Sequence, residues 1–303
     1  MIDFTSEPKR VGLVGTALTG FLAMNARRRE GQPFDLQAAR RHNLRITGRF
    51  RLPRDVKRTE EHIDGIPVIR FSSGRGDRGT VLAFHGGAYV LGDPGALSIP
   101  FATKGGPDVV SVDYRLAPEH PYPAALDDAL TVYRALLKTV GADRMAITGD
   151  SAGGGLALTV LQAVVAAGLP MVTALVAVFP WGDLSLSGRS STANNGRDIL
   201  VRSEVALSAR WYASDRDLQD PAVSPLFGSF RGFPKTYMPV GSRDLILDDA
   251  RRIEARMRAD GIDVQLDIFP GAPHGFNAVP FAASRQCNAR ARAIINDALP
   301  PRH

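Results

Sequence analysis

Hydrophobic positions along the chain follow two periods. Short runs rich in Val, Ile and Leu, bounded by Gly or Pro, are typical of strands buried in a parallel sheet, and longer segments with helical spacing lie between them. The pattern predicts strands at residues 80–84, 108–113, 144–148, 172–179, 236–240 and 264–269. It predicts helices at residues 124–139, 152–167, 248–259 and 281–298.

The alternation of these strands and helices predicts an α/β fold with a mostly parallel central sheet and helices on both faces. A hairpin over residues 58–71 precedes it, with Asp64-Gly65 as a positive-φ turn. Residues 1–50 and about 183–220 fall outside this rhythm. We expect 1–50 to be an N-terminal cap segment and 51–303 to be the main domain, with a cap insertion at about 183–220.

The apolar run at residues 11–24 (VGLVGTALTGFLAM) follows Lys9 and Arg10, as the core of a signal peptide would. It is shorter than the roughly 20 residues that a bilayer span needs. No clear A-x-A cleavage pattern follows it. These features favour an N-terminal helix that covers a pocket.

Composition excludes several other classes of protein. The chain has 303 residues, of which 44% are hydrophobic, and its one cysteine, Cys287, cannot form an intramolecular disulfide, so a cytoplasmic location is expected. The net charge is +6, yet the cation clusters at 27–29 and 40–41 have no interleaved aromatic residues. We therefore expect no nucleic-acid partner and no stable membrane anchor. No His, Cys or Asp cluster has metal-ligand spacing, so no metal is expected.

The pentapeptide GDSAG at 149–153 matches G-x-S-x-G between a predicted strand and a predicted helix. So sharp a turn needs residues without bulk two positions before and after the serine, which then sits in strained backbone with its hydroxyl exposed. The helix that follows directs its first N–H groups at the same point, and that of Ala152 is one candidate oxyanion donor. The alternative is a glycine-rich turn with an idle serine, but the context favours Ser151 as a nucleophile.

The segment HGGAY at 85–89 follows another predicted strand, at the same edge of the sheet. Two successive glycines let the backbone approach a ligand closely, so the N–H groups of Gly86 and Gly87 can face a developing negative charge. A plain tight turn is the alternative. Paired with the serine turn, the segment predicts an oxyanion loop.

A serine hydroxyl needs an imidazole to accept its proton and a carboxylate to orient that imidazole. His274 lies in the loop GAPHGF after the last predicted strand and is the favoured base. Asp244 follows the strand TYMPVG and is the favoured acid, with Asp248 and Asp249 as rivals whose other role would be to cap a helix. The remaining histidines are His42, His62, His85, His120 and His303. The order Ser, Asp, His is the order found in α/β-hydrolases.

Seven motifs together resemble those of the bacterial hormone-sensitive-lipase-like esterases, a family of GDSAG-type serine carboxylesterases in the α/β-hydrolase superfamily. The resemblance runs from about residue 81 to 276 and rests on HGGAY, DYRLAPEHPYPAALDD, GDSAGG, FPWGDLS, SPLFG, SRDLILDD and PHGF. It implies an α/β-hydrolase fold with a helical cap that shapes the acyl pocket. It also implies a small ester of short-to-medium acyl chain as substrate, no cofactor, and a homodimer as a candidate assembly.

Carried over motif by motif, the resemblance implies a catalytic triad and an oxyanion hole. The triad is Ser151, Asp244 and His274, and the oxyanion donors are Gly86, Gly87 and Ala152. Ala88 stands where a third glycine is common in the family, which leaves esters of tertiary alcohols open as substrates.

Several alternatives stay open at this point. The same machinery suits a lactone, an amide or an N-acetyl group, and a ligand-binding receptor on a hydrolase scaffold is the alternative outside enzymes. Such receptors typically lack a triad member, whereas all three are found here. Four aromatic residues are candidates for lining the substrate pocket, although large aromatics also form ordinary core: Tyr89, Trp181, Trp211 and Phe276.

Overall fold

The computed structural model describes residue 4 and residues 6–74, 78–95, 101–279 and 281–301. The strands are β1 (Lys57–Ile63), β2 (Ile66–Ser72), β3 (Thr80–Phe84), β4 (Asp108–Val112), β5 (Met145–Asp150), β6 (Ala174–Val178), β7 (Lys235–Gly241) and β8 (Val264–Phe269). The helices are α1 (Gly12–Arg29), α2 (Leu36–Thr47), α3 (Ala124–Thr139), α4 (Ala152–Ala166), α5 (Ser190–Ala193), α6 (Arg202–Ala213), α7 (Leu247–Ala259) and α8 (Ala282–Ala298).

The strands form one sheet in the order β1-β2-β4-β3-β5-β6-β7-β8. Strands β3 to β8 pair in parallel, and the β1–β2 hairpin joins antiparallel to β4. Asp64 and Gly65 take φ of 47° and 84° at the hairpin turn, as the sequence predicts. Because β3 to β8 are parallel, the loops that follow them meet at one edge of the sheet, where function is expected.

Side chains of each central strand alternate between two cores. In β3, Leu82 and Phe84 belong to a core that also contains residues of α3, α4 and α7, whereas Val81 and Ala83 belong to a second core that contains residues of α8. Cys287, the single cysteine, is fully buried in this second core. The arrangement confirms the prediction of helices on both faces of a mostly parallel sheet.

The predicted elements of the main domain all form, with small differences at their ends. Strand β5 runs two residues further than predicted, because Gly149 and Asp150 pair with Ala177 and Val178 of β6. Strand β6 is shorter than predicted. It ends at Val178, because Phe179 takes a φ of 36° and leaves the extended conformation.

Helices fill the two stretches that did not fit the rhythm. Residues 1–50 contain α1 and α2, and residues 183–220 contain α5 and α6. The two stretches touch, because Arg27 Nε of α1 donates to the carbonyl of Gly196 at 2.5 Å and Gly31 N donates to Ser203 Oγ at 3.1 Å. Within the described part of the chain, no helix is both long and apolar enough to cross a bilayer.

Candidate active site

Ser151 occupies the turn between β5 and α4 with φ 54° and ψ −120°, a conformation that non-glycine residues rarely adopt. A Cβ on Gly149 would collide with the backbone of Gly153, and one on Gly153 would collide with the carbonyls of Phe84 and His85. The turn is held to β6, because Ser151 N donates to Val178 O at 2.9 Å. Both glycines of G-x-S-x-G are therefore required by the close approach of backbone to backbone.

The predicted oxyanion loop lies beside this turn. A Cβ on Gly86 would collide with the Asp150 carboxylate, and one on Gly87, whose φ is 124°, would collide with the carbonyl of Leu91. Gly86, Gly87 and Ser151 line one cavity, while Ala152 is fully buried as the first residue of α4. The chain thus needs glycine at both positions to bring this backbone to the serine.

The segment DYRLAPEHP supports the loop from behind. The hydroxyl of Tyr114 donates to the carbonyl of His85 at 2.6 Å, and the rings of these two residues stack with centroids 4.1 Å apart. The N–H of Ala117 donates to the carbonyl of Tyr89 at 2.9 Å. These contacts fix both ends of the HGGAY segment.

His274 and Asp244 form a buried pair at the ends of β8 and β7. The ring Nδ1 of His274 lies 2.9 Å from Asp244 Oδ2, and the other oxygen of Asp244 accepts the N–H of Ile246 at 3.0 Å. Because a carboxylate only accepts, Nδ1 carries the proton and Nε2 is left as the basic nitrogen. His274 lines the same cavity as Ser151, and its ring packs on Phe179 with centroids 4.5 Å apart.

Burial alone would lower the pKa of His274, but three neighbouring carboxylates outweigh it. Asp244 contributes most, through charge and the hydrogen bond, followed by Asp198 and Asp150, and the net effect raises the pKa of His274 above its ordinary value. Burial raises the pKa of Asp150 to about 7, with the His274 ring and the Gly86 backbone acting in the opposite direction. The site therefore favours an imidazolium once His274 accepts a proton.

Asp198, for which no sequence pattern predicted a role, joins the loops that carry Asp244 and His274. Its Oδ1 accepts the N–H of His274 at 2.8 Å and its Oδ2 accepts the N–H of Leu245 at 2.7 Å. Burial, and then the charge of Asp244, raise the pKa of Asp198 to about 7. Nearby, Asn194 Nδ2 donates to the carbonyl of Asp244 at 2.8 Å. Two side chains of the 183–220 segment thus fasten the loops that carry the acid and the base.

The rival carboxylates are engaged elsewhere. Asp249 Oδ2 accepts the N–H groups of Gly182 and Asp183, both at 3.0 Å, and Asp248 Oδ2 accepts the N–H of Ser190 at 2.9 Å. Both lie in the first turn of α7, but these hydrogen bonds go to the loop after β6 and to α5. Their role is therefore to tie the segment at 182–190 to the main domain.

His274 is the histidine that bonds to Asp244, although His85 also lines the cavity. His85 is buried, its Nδ1 lies 2.9 Å from the carbonyl of Gly86, and burial lowers its pKa to about 4. His42, His62 and His120 are exposed. His303 lies outside the described residues.

The cavity at the site has a volume of about 320 Å³ and a mostly apolar wall. The N-terminal segment, the loops that follow the strands and the 183–220 segment all contribute to it. The apolar side chains among these residues include Phe34, Val90, Leu91, Phe179, Trp181, Ile199, Leu200, Val201, Val205 and Ile246. Two polar residues of α2, Asn43 and Thr47, also line it. Such a wall suits the hydrocarbon part of a small ligand.

Of the four aromatic residues predicted to line the pocket, Trp181 does so and three do not. Tyr89 stacks on Tyr212 with centroids 3.7 Å apart inside the core. Trp211 packs behind Phe34 at 5.9 Å, and Phe276 packs against Phe269 at 5.0 Å. The prediction that Tyr89, Trp211 and Phe276 line the pocket is corrected, because their rings pack against other aromatic side chains and do not face the cavity.

The predicted helix at the apolar run 11–24 also needs a correction. Helix α1 forms there, but the residues that line the cavity from the N-terminal segment are Phe34, Asn43 and Thr47. Gly15, Thr19, Ala23 and Ala26 face the protein instead, as shown by their burial. From residues 4 and 6–50, the cavity is therefore lined by α2 and the loop before it, and by no residue of α1.

The chain is similar in sequence to proteins of known families. A family model described as alpha/beta hydrolase fold matches residues 81–278. An acetyl-hydrolase of Streptomyces hygroscopicus is 38% identical over 205 residues, which cover 66% of this chain and 69% of that protein. An esterase of Acinetobacter venetianus is 36% identical over 226 residues, covering 70% and 74% respectively.

Solved structures of bacterial esterases have the same fold as this chain. An esterase from the bacterial hormone-sensitive lipase family superposes with a TM-score of 0.87 at 29% identity, covering 95% of this chain and 99% of that one. The hormone-sensitive lipase homologue EstE7 from a metagenome library superposes with a TM-score of 0.86 at 33% identity, covering 94% and 98%. These similarities confirm the predicted fold and the resemblance on which the sequence analysis relied.

Proposed function

This chain belongs to the α/β-hydrolase fold family and is a carboxylic ester hydrolase, and we propose that it is a serine carboxylesterase acting through Ser151, His274 and Asp244. The observation that supports the proposal most is the 2.9 Å contact between His274 Nδ1 and Asp244 Oδ2, beside a cavity that Ser151 and His274 both line. Under this proposal, nucleophile, base and orienting acid come from three loops at one edge of the sheet.

The reaction we propose has two steps. Ser151 Oγ attacks the ester carbonyl while His274 Nε2 takes its proton, and the protonated ring then gives that proton to the departing alcohol. Water, activated by the same nitrogen, attacks the acyl-enzyme and releases the acid. Asp244 keeps Nδ1 protonated and stabilises the imidazolium in both steps.

The negative oxygen of each tetrahedral intermediate is assigned to the N–H groups of Gly86, Gly87 and Ala152. The start of α4 supports this assignment, because Ala152 is its first residue and the positive end of the helix dipole lies there. Loss of one such donor typically costs about 100- to 1,000-fold in kcat.

Substrates are proposed to be esters of short-to-medium acyl chains. An apolar wall and a volume of about 320 Å³ suit such chains, and the name acetyl-hydrolase carried by the Streptomyces relative agrees with the short end of this range. A cytoplasmic location stays a prediction from the single cysteine.

The proposal is tested with a Ser151→Ala variant and a fluorophosphonate probe on the full chain. We expect the parent protein to be labelled and to hydrolyse p-nitrophenyl acetate and butyrate, and the variant to do neither above a residual rate several orders of magnitude lower. Hydrolysis by Ser151→Ala at the parental rate would overturn the assignment. Matched lactone, amide and N-acetyl substrates, compared by initial rate, decide between the ester and its alternatives.

A further inference from the structure

Helix α1 carries an exposed apolar face. Of the ten large hydrophobic side chains that are exposed among the described residues, six lie on this helix and two on α2. Those of α1 are Leu13 (91% exposed), Val14 (79%), Leu18 (38%), Phe21 (56%), Leu22 (36%) and Met24 (42%). Several large apolar side chains exposed on one helix of a folded domain indicate an interaction surface.

The geometry of the helix makes this face continuous. Gly15, Thr19, Ala23 and Ala26 recur every three or four residues and are buried, so one side of α1 packs on the protein. Val14, Leu18 and Phe21 follow the same helical spacing on the outer side. The outer side therefore stays apolar over the first three turns, in a helix that is already fixed to the domain by its inner side.

Positive charge accompanies this face. Residues 1–50 contain nine Lys or Arg and four Asp or Glu, so they hold five of the six net positive charges of the chain. Arg28, in the last turn of α1, is exposed, and so are Arg41 and Arg45 of α2. An N-terminal segment that is net positive and carries an exposed apolar helix matches an anionic lipid surface, which offers phosphate charge beside hydrocarbon. The same charges disfavour the other simple occupant, the cap of a second copy, which would bring like charges together.

We propose that the outer face of α1 adsorbs reversibly to an anionic lipid–water interface, with the helix lying in the plane of the surface. Leu13, Val14, Leu18 and Phe21 enter the interfacial region, and Arg28, which lies seven residues after Phe21 on the same side of the helix, contacts lipid phosphates. This is a peripheral contact made by a folded helix. It needs neither a membrane span nor a covalent anchor.

Adsorption through α1 also places the cavity near the lipid. The last turn of α1 touches the cavity wall, because Arg29 Nη2 donates to the carbonyl of Ile199 at 3.4 Å and Ile199 lines the cavity. Esters dissolved in the bilayer then reach the cavity without crossing bulk water. This extension rests on the proposed function, whereas the adsorption itself does not.

The test is flotation of the full chain with vesicles of phosphatidylcholine alone and of phosphatidylcholine with phosphatidylglycerol. We expect binding to the anionic vesicles, weakening as salt rises. Phe21→Asp should bind roughly tenfold more weakly or worse, because it places a charge where an apolar ring was buried in lipid. Val165→Asp is the matched control, since Val165 is an exposed residue (42%) of α4, away from this face, and it should bind like the parent.

Three further measurements keep the outcome interpretable. Phe21→Asp should hydrolyse p-nitrophenyl acetate at the parental rate, which shows that it is folded. Arg28→Glu should weaken binding to the anionic vesicles while leaving the apolar face intact. Ser151→Ala should float with vesicles like the parent, because adsorption through α1 does not need the serine. If Ser151 proved not to be the nucleophile, flotation would still test the adsorption.

Two results would overturn the inference. One is equal binding of the parent and Phe21→Asp to anionic vesicles, or no binding by either. The other is a parent protein that elutes as a dimer and becomes a monomer on Phe21→Asp, with no vesicle binding, since α1 would then be covered by a second copy.

Discussion

The backbone N–H of Leu245 donates to Asp198 Oδ2 at 2.7 Å, so a carboxylate from the 183–220 segment holds the residue that follows Asp244. The same carboxylate accepts the N–H of His274 through its other oxygen. If Asp244 and His274 act as proposed, Asp198 is a positioning residue for both of them. Its charge also contributes to the raised pKa of His274.

Asp198→Asn should shift the acid limb of the pH profile of kcat/KM to lower pH. His274 works as a base only when neutral, so activity falls as the pH drops through its pKa, and loss of a nearby negative charge lowers that pKa. One carboxylate oxygen also becomes an NH₂ group, which opposes the N–H of Leu245 or of His274 and should lower kcat. Profiles on p-nitrophenyl acetate measure both effects.

Asp215→Asn is the matched control for this change. Asp215 belongs to the same segment but is exposed, and its loss should leave the acid limb in place. If both variants kept the parental profile and kcat, Asp198 would have no part in positioning the triad.

Replacement of Arg40 of α2, even by lysine, should lower activity. Its guanidinium donates to the carbonyls of Val90 and Ala117 at 2.8 and 3.0 Å and to both oxygens of Glu119 at 2.7 Å. Lysine lacks the planar fork that makes these contacts together. Because Val90 directly follows HGGAY, we expect Arg40→Lys to lower kcat/KM by about tenfold, a loss near 1.4 kcal/mol.

Glu119 is the charged partner of Arg40, and Arg45 provides the control for the Arg40→Lys change. Hydrogen bonding to Arg40 lowers the pKa of Glu119 to about 2, so the pair stays charged throughout the working pH range. Arg45→Lys changes an exposed arginine of the same helix and should keep full activity. Full activity in Arg40→Lys as well would contradict the claim that contacts from α2 support the oxyanion loop.

Gly153→Ala should lower the stability of the protein. The added methyl group would collide with the carbonyl oxygens of Phe84 and His85, and overpacking of this kind typically costs about 1–3 kcal/mol. Gly20→Ala is the control, because a Cβ there meets no atom within 4 Å and alanine favours a helix. Thermal melts should show a lower Tm for the first variant and an unchanged or higher Tm for the second. Equal melting of Gly153→Ala and parent would contradict the packing argument.

Val205→Phe should restrict the length of the acyl chain. Val205 lines the cavity from α6, and a larger ring there takes up space needed by longer chains. We expect kcat/KM for p-nitrophenyl octanoate to fall more than that for the acetate. Leu207→Phe, an exposed position on the same helix, should leave the ratio unchanged. A parental ratio in Val205→Phe would place the acyl chain elsewhere.

The sequence predicts well those parts of the site that depend on local structure. The turn at Ser151 is a strand-to-helix junction with two glycines that the backbone contacts require. Asp244 and His274 follow β7 and β8, and the ends of parallel strands meet at one edge, so their proximity follows from topology.

Asp198 and the pocket wall could not be predicted in this way. Asp198 lies in NNGRDILV, which has no periodic pattern, and its role comes from backbone groups about 47 and 76 positions further along the chain. Hydrophobicity also does not separate a wall from a core, since Tyr89 is buried by Tyr212 while Trp181 faces the cavity. Only the tertiary contacts make that distinction.

The hydrogen bonds of Asn194 and Asp198 limit how this enzyme can be recombined with its relatives. A chimaera that exchanges the insertion for that of another esterase would also exchange the fasteners of its own acid and base loops. Grafting of substrate preference should therefore succeed only when the donor insertion carries an amide and a carboxylate at the equivalent positions. Specificity and catalytic competence are inherited here as one unit.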